Sequence, residues 1–157
     1  MNGAYQAVID SPIGLLGISL QDGRVSQIEF LFGNRDVEVF ADASSRQVMA
    51  QLEAYFSGGS RTFSIPLQPE GTDFQKKVWS RLSRIPCGET RTYGEIAREL
   101  GTSPRAVGNA CRSNPIPLVV PCHRVVSAQG IGGFSGATEG EKLDVKKWLL
   151  AHEDVVL

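Results

Sequence analysis

The chain has 157 residues, 41% of them apolar and 21% charged, with a formal net charge of −1; this is the profile of a globular protein of one ordinary domain or two small ones. No apolar run approaches the roughly 18 residues of a membrane span. The opening Met1-Asn2-Gly3-Ala4-Tyr5-Gln6 lacks a basic stretch leading into an apolar core, so a secretory signal is not expected. Cys87, Cys111 and Cys122 form an odd set, which predicts free thiols in a reducing cytoplasm. The small net charge conceals an asymmetry: residues 1–71 balance to −4, residues 72–124 to +5 and residues 125–157 to −2. A segregated basic block is either a solvated face or the footprint of a polyanion site.

Residues 5–9, 14–20 and 24–31 are β-type runs separated by the turn sequences Ser11-Pro12-Ile13-Gly14 and Gln21-Asp22-Gly23. They predict a three-stranded antiparallel meander. A helix follows, with Val48, Leu52 and Tyr55 on one face, stopped by Ser57-Gly58-Gly59-Ser60. Residues 1–71 contain no His and no Cys, so a structural module is expected there. The tract Ile65 to Gly71, with two prolines, reads as a linker. The predicted domains are therefore 1–66 and 72–157, joined by residues 67–71.

Thr72-Asp73-Phe74-Gln75 matches a capping box, and Phe74, Val78, Leu82 and Ile85 mark the buried stripe of the helix it opens. Pro86-Cys87-Gly88 ends that helix; Cys87 has no neighbouring base and reads as incidental. Thr92-Tyr93-Gly94-Glu95 is a second capping box, with Ile96, Ala97 and Leu100 facing inward and Gly101 suited to the C-terminal cap. Ser103 followed by Pro104 starts another helix at once. Two short helices joined by a tight glycine-bearing turn form a helix-turn-helix pattern, which also occurs as a plain packing unit. In the second helix Arg105, Gly108, Asn109 and Arg112 share one face, while Val107, Ala110 and Cys111 share the other. Two arginines beside very small residues suit close approach to a nucleic-acid backbone. Cys111 reads as core.

Asn114-Pro115-Ile116-Pro117 predicts an extended passage into Leu118-Val119-Val120, read as a short buried strand. It delivers Pro121-Cys122-His123-Arg124-Val125-Val126. Two readings of Cys122 stand at this point. Positive charge or a base nearby raises the population of a nucleophilic thiolate, whereas a cysteine is also a good small core residue. Gly130-Ile131-Gly132-Gly133-Phe134-Ser135-Gly136 lacks the strand-then-helix context of a nucleotide-binding fingerprint and reads as a pocket-lining loop. A helix from about Glu141 to His152 closes the chain.

With Pro-Cys-His-Arg-Val-Val on the page, the chain resembles the O6-alkylguanine-DNA alkyltransferases, also called methylated-DNA–protein-cysteine methyltransferases. Between residues 72 and 153, Thr-Tyr-Gly-Glu-Ile-Ala, Arg-Ala-Val-Gly-Asn-Ala, Ser-Asn-Pro-Ile-Pro, Gly-Gly-Phe-Ser-Gly and Lys-Trp-Leu-Leu-Ala-His-Glu stand in that family's order. The resemblance implies an α+β fold: a small ribonuclease-H-like antiparallel sheet with a helix, then a mostly helical winged-helix-like domain carrying the helix-turn-helix. It implies single-use repair of O6-alkylguanine in DNA, chiefly O6-methylguanine, with O4-methylthymine as a further candidate. Cys122 would be the acceptor and His123 a base acting through water. Glu153 would orient and charge the imidazole, and the imidazolium would lower the thiol pKa. Asn114 would tie the helix-turn-helix to the active-site turn. Tyr93 would donate to guanine N3 and crowd the phosphate as the nucleotide rotates out. Backbone groups at Val125 and Ser135 would read the guanine edge.

On the DNA side, Arg105 would fill the gap in the duplex. Ala106, Gly108, Arg112 and Gly94 would meet a double strand bound through its minor groove, although helix-turn-helix proteins usually read the major groove. No cofactor, membrane or obligatory oligomer is implied. Some relatives hold a structural zinc in the N-terminal domain; residues 1–71 lack the ligands, so no metal is expected. Ala137-Thr138-Glu139-Gly140-Glu141-Lys142 lengthens the connection after Ser-Gly, and Phe134 stands where some members carry Tyr; both bear on which bulky alkyl groups are admitted. Two other classes compete. A cysteine hydrolase would need an oxyanion hole and repeated turnover, and would leave Arg105 and Arg112 without a role. A non-enzymatic, lesion-sensing DNA-binding protein would explain the helix-turn-helix but not Cys122, His123 and Glu153 together.

Overall fold

The computed structural model describes residues 4–40, 42–133 and 140–156. The chain forms two compact units, Met1–Glu70 and Gly71–Leu157. Among the described residues there are five α-helices and three small sheets, and no helix is long and apolar enough to cross a membrane.

In the first unit, β2 (Ala7–Ile9), β3 (Leu16–Gln21) and β4 (Arg24–Phe30) form an antiparallel sheet in the order β2-β3-β4. The β3–β4 hairpin turns on Asp22 and Gly23, both at positive φ (52° and 77°), the backbone twist that two-residue hairpins require. The first run is not one strand. It splits at Gln6 into β1 (Ala4–Tyr5) and β2, because the Gln6 side chain turns to accept from the Leu20 amide at 2.7 Å. β1 then pairs in parallel with β5 (Glu38–Val39). Gly17 is glycine for packing: a Cβ there would lie 2.6 Å from the Tyr5 ring. Helix α1 (Ser45–Phe56) buries Val48, Leu52 and Tyr55 and packs against β2.

The second unit holds α2 (Asp73–Leu82), β6 (Arg91–Thr92), α3 (Tyr93–Leu100), α4 (Pro104–Arg112), a 3-10 turn at Cys122–Arg124, β7 (Val125–Val126) and α5 (Glu141–His152). Both capping boxes are formed: Thr72 and Thr92 accept from the amides of Gln75 and Glu95, whose side chains return to the cap amides. Gly101 ends α3 in the left-handed region, and the Ser103 hydroxyl caps α4 at once, so the α3–α4 turn is short and determined locally. Val78, Leu82 and Ile85 are buried as the periodicity predicts, but Phe74 is 37% exposed. The inward place is taken by Trp79, whose indole donates to the Ala110 carbonyl at 2.8 Å. The first turn of α2 projects past the core.

Leu118-Val119-Val120 is a turn, not a strand. Leu118 has φ of 78° and the Val120 amide returns to the Ile116 carbonyl at 2.9 Å. The cause is Asn114. Its amide oxygen accepts from Ile116 N at 3.0 Å and its Nδ2 donates to Val120 O at 2.9 Å, so the segment curls around one side chain. Leu118 and Val120 are still buried. Cys122 therefore enters from a tight turn, and β7 behind it pairs in parallel with β6.

The Trp79 indole is the only buried side-chain donor here that joins α2 to α4 among the described residues. Trp79→Phe leaves the Ala110 carbonyl unpaired and is expected to lower stability by about 1–3 kcal/mol; urea denaturation followed by circular dichroism measures it.

Candidate active site

At the C-terminal cap of α5 the Glu153 carboxylate is 1% exposed. One oxygen lies 2.8 Å from His123 Nε2, and the other accepts from Arg124 Nε at 2.8 Å. Arg124 Nη2 adds a bond at 3.1 Å, and its Nη1 donates to the Ile85 carbonyl at 2.7 Å. Burial alone would push the Glu153 carboxyl up; the hydrogen bonds from His123 and Arg124, with the guanidinium charge, overcome it and hold the group far below the usual carboxylate range.

Glu153 is thus an acceptor only, so Nε2 of His123 carries the proton. Burial holds the His123 pKa below its ordinary value against the pull of Glu153, so the ring is neutral at pH 7. Its Nδ1 is buried and has no hydrogen-bond partner among the described residues. A neutral imidazole with a bare, basic nitrogen and its other nitrogen fixed is poised as a base.

The expectation is an imidazolium that lowers the thiol pKa; burial works against both halves of it, pulling the His123 pKa down. Burial pushes the Cys122 thiol up; a hydrogen bond from Asn114 and the charge of Lys146 oppose it without reversing it. The resting group is a thiol, and ionisation awaits a base. Desolvation outweighs the neighbours because water that would solvate a thiolate is excluded: Cys122 is 3% exposed and His123 0%.

Lys146 was not singled out by motif or charge pattern. Fully buried on α5, it donates to the carbonyls of Val125 and Gly133, each at 2.8 Å. Burial pulls its pKa down to about 8, against the attraction of Cys122 and Cys111. No carboxylate pairs with it among the described residues, and its charge favours ionisation of the Cys122 thiol. The signal was available. Leu143, Lys146, Leu150 and Glu153 recur at helical spacing on the apolar face of α5, where a cation is anomalous.

Tyr93, the first residue of α3, reaches towards the same Gly133 carbonyl at 3.5 Å. Burial, with the thiols of Cys111 and Cys122 nearby, pushes its phenol up to about 12, so it stays protonated. Val125 is buried behind Cys122 on β7. Ser135 and Phe134 lie outside the described residues. Cys122, His123, Asn114, Tyr93, Val125 and Glu153 are thus gathered by the 3-10 turn, the Asn114 turn, α3, β7 and α5. Arg105 and Arg112 are exposed on α4, with Ala106 and Gly108 half-buried between them and open space where a Gly108 Cβ would stand. Gly94 is half-buried in the first turn of α3. Cys111 is buried on the inner face of α4. Among the described residues no group of three His, Cys, Asp or Glu side chains is placed to hold a metal.

A thiol, a neutral base and a basic helix in one unit define a cysteine-based group-transfer protein with a polyanion-facing surface. The family model of the 6-O-methylguanine DNA methyltransferase DNA-binding domain matches residues 73–155. A methylated-DNA–protein-cysteine methyltransferase of Methanosarcina acetivorans is 43% identical over 156 residues, covering 95% of this chain and 97% of its own. The constitutive protein of that name from Bacillus subtilis is 34% identical, with 96% of each chain covered. The crystal structure of Mycobacterium tuberculosis O6-methylguanine methyltransferase superimposes with a TM-score of 0.81 at 38% identity, covering 93% of this chain and 90% of that one. A structure of the same Mycobacterium protein in complex with DNA gives 0.79 at 39% identity, with the same coverage. The chain belongs to the methylated-DNA–protein-cysteine methyltransferase family.

Glu153 carries a linked prediction. A carboxyl depressed in the folded state contributes stability that is present above its unfolded pKa of about 4 and lost as pH falls towards the folded value. Wild-type stability should therefore decline below about pH 4, and the profile of Glu153→Gln should be flatter there. At pH 7 that variant leaves Arg124 buried without its counter-charge, an expected loss of about 3–5 kcal/mol. Denaturant titrations across a pH series test both.

Proposed function

We propose that this chain repairs DNA by direct reversal, moving the alkyl group of O6-alkylguanine, chiefly O6-methylguanine, onto Sγ of its own Cys122. The observation that carries this is a buried thiol on the same 3-10 turn as His123, whose ring is held through Nε2 by Glu153 and whose buried Nδ1 has no hydrogen-bond partner among the described residues. His123 Nδ1 takes the thiol proton through a water molecule. Sγ attacks the alkyl carbon in line, the C–O6 bond breaks, and its electron pair leaves on the guanine, which ends with the proton the thiol lost. Tyr93, kept protonated by burial, donates to N3 as charge develops on the base. Lys146 and the Asn114 amide stabilise the transient thiolate. Backbone groups at Val125 and Ser135 read the guanine edge. O4-methylthymine is a second substrate of the same geometry.

A thiol cannot reach O6 inside a stacked pair, so the nucleotide must be extrahelical. The exposed, basic face of α4 supports binding of double-stranded DNA: Arg105 fills the vacated stack, and Ala106, Gly108 and Arg112, with Gly94, line the strand in the minor groove. In this reading residues 72–157 are a winged-helix-like domain that acts as a monomer in the cytoplasm. Residues 1–66 are a ribonuclease-H-like support, and 67–71 a linker.

The thioether offers no leaving group to water, so each molecule acts once. Incubation with excess methylated duplex should add a single methyl mass on Cys122, none in Cys122→Ala, with no further turnover; methylation of Cys87 or Cys111 in that variant would overturn the assignment. His123→Ala should slow transfer by roughly 10²–10⁴-fold. Arg105→Ala should slow repair of duplex more than reaction with free O6-benzylguanine, which needs no flipping; equal losses would move Arg105 into the pocket.

A further inference from the structure

We infer that Cys111 is a resolving thiol for Cys122: when a hydroperoxide oxidises Cys122, the two sulfurs close a disulfide that a thiol reductant reopens. The inference goes beyond alkyl transfer and uses a buried nucleophile that the transfer leaves idle. Both cysteines are free thiols, 8% and 3% exposed. Cys111 stands in the last turn of α4, on its buried side. Its carbonyl accepts from the Asn114 amide at 3.2 Å, and the Asn114 side chain donates to the Val120 carbonyl at 2.9 Å. The Val120 carbonyl also accepts from the Cys122 amide at 2.8 Å. One residue therefore ties together the backbones of two cysteines that are well separated in sequence. The side chains converge too. Tyr93 and Lys146 each feel both thiols, and Cys111 feels Cys122.

The two thiols are not equivalent. Burial pushes both up; at Cys122 a hydrogen bond from Asn114 and the Lys146 charge pull back, whereas at Cys111 the neighbouring Cys122 adds to burial and Lys146 opposes it. Cys122 is therefore the sulfur that reacts first, because the thiolate is the nucleophile. Its sulfur attacks one peroxide oxygen, the O–O bond breaks, and the other oxygen leaves with the thiol proton as an alcohol, or as water from hydrogen peroxide. A sulfenic acid remains on Cys122. The Cys111 sulfur then attacks the Cys122 sulfur, the S–O bond breaks, and the hydroxyl leaves with the Cys111 proton as water. Two thiols are oxidised to one disulfide and one peroxide is reduced. Without Cys111 the sulfenic acid waits for a second peroxide, which carries it to the sulfinic acid that thiol reductants do not restore. A disulfide is instead reopened by thiol exchange. Burial slows the first oxidation, and the second thiol makes it recoverable.

The test exposes the reduced full chain to hydrogen peroxide and reads intact mass and a non-reducing peptide map, before and after dithiothreitol. Wild type should lose two hydrogens, join the Cys111 peptide to the Cys122 peptide, and regain nearly all its reactive thiol on reduction. Cys111→Ala and Cys111→Ser, left unoxidised, should transfer alkyl groups at the wild-type rate. Under peroxide both should gain two oxygens on Cys122 and recover almost no reactive thiol. Cys87→Ser should behave as wild type. A disulfide that joins Cys122 to Cys87 or to a second chain overturns the inference, as does wild type that gains oxygens on Cys122 without forming the link. The wild-type map decides this even if neither Cys111 variant folds. A disulfide that closes in a chain unable to take an alkyl group from methylated duplex would leave this inference standing and bring down the acceptor reading.

Discussion

A single carboxylate, Glu153, lies at the C-terminal end of α5 with almost no access to water and holds an imidazole and a guanidinium at once. The end of a helix is the wrong place for an anion, because the last carbonyls already concentrate negative charge there. Burial adds to the difficulty. The site is stable only because Arg124 supplies a full positive charge in two-pronged geometry and His123 a further donor. Arg124 then extends the tie to the Ile85 carbonyl beyond the end of α2. Residues about thirty positions apart in sequence are therefore fixed together, and the turn bearing Cys122 is fixed with them.

That arrangement decides which partner carries which proton. Burial pulls the His123 pKa down against the hydrogen bond and charge of Glu153, with the Arg124 charge adding to the same side as burial. The thiol is held protonated by burial, and Lys146, without a carboxylate partner among the described residues, is the cation that favours its ionisation. A dry pocket of this kind strengthens every charge that develops in it. It favours a thiol that ionises only when a substrate and a base are in place over a standing thiolate open to adventitious oxidation.

Helix α4 serves two surfaces. Its inner side, Val107, Ala110 and Cys111, is core, and the Ala110 carbonyl takes the Trp79 indole. Its outer side carries the arginines. One residue past its C-terminal cap, Asn114 folds the chain back so that its amide reaches both Val120 and the Cys122 thiol. Helix α4 and Cys122 are separated by one side chain, which makes Asn114 the shortest path by which a change at the thiol could reach the helix.

What the sequence determined by itself was local. Capping boxes at Thr72 and Thr92, the glycine stop at Gly101, the serine–proline start at Ser103, and the two faces of α4 are all written in residues within four positions of one another, and short-range geometry realises them. The hexapeptide around Cys122 named the chemistry for the same reason: its residues are contiguous. Tertiary structure decided the rest. The Leu118-Val119-Val120 run has the composition of a strand, but no neighbouring edge takes it, and the Asn114 amide curls it instead. The first β-run was broken by a side chain fourteen residues from its partner, and Phe74 was released because Trp79 found Ala110. The protonation states were beyond any pattern, since they depend on how much water the assembled core excludes and on which charge each buried group faces. Only the packed chain sets the charge of Lys146 against the thiol and buries His123 deeply enough to outweigh the pull of Glu153.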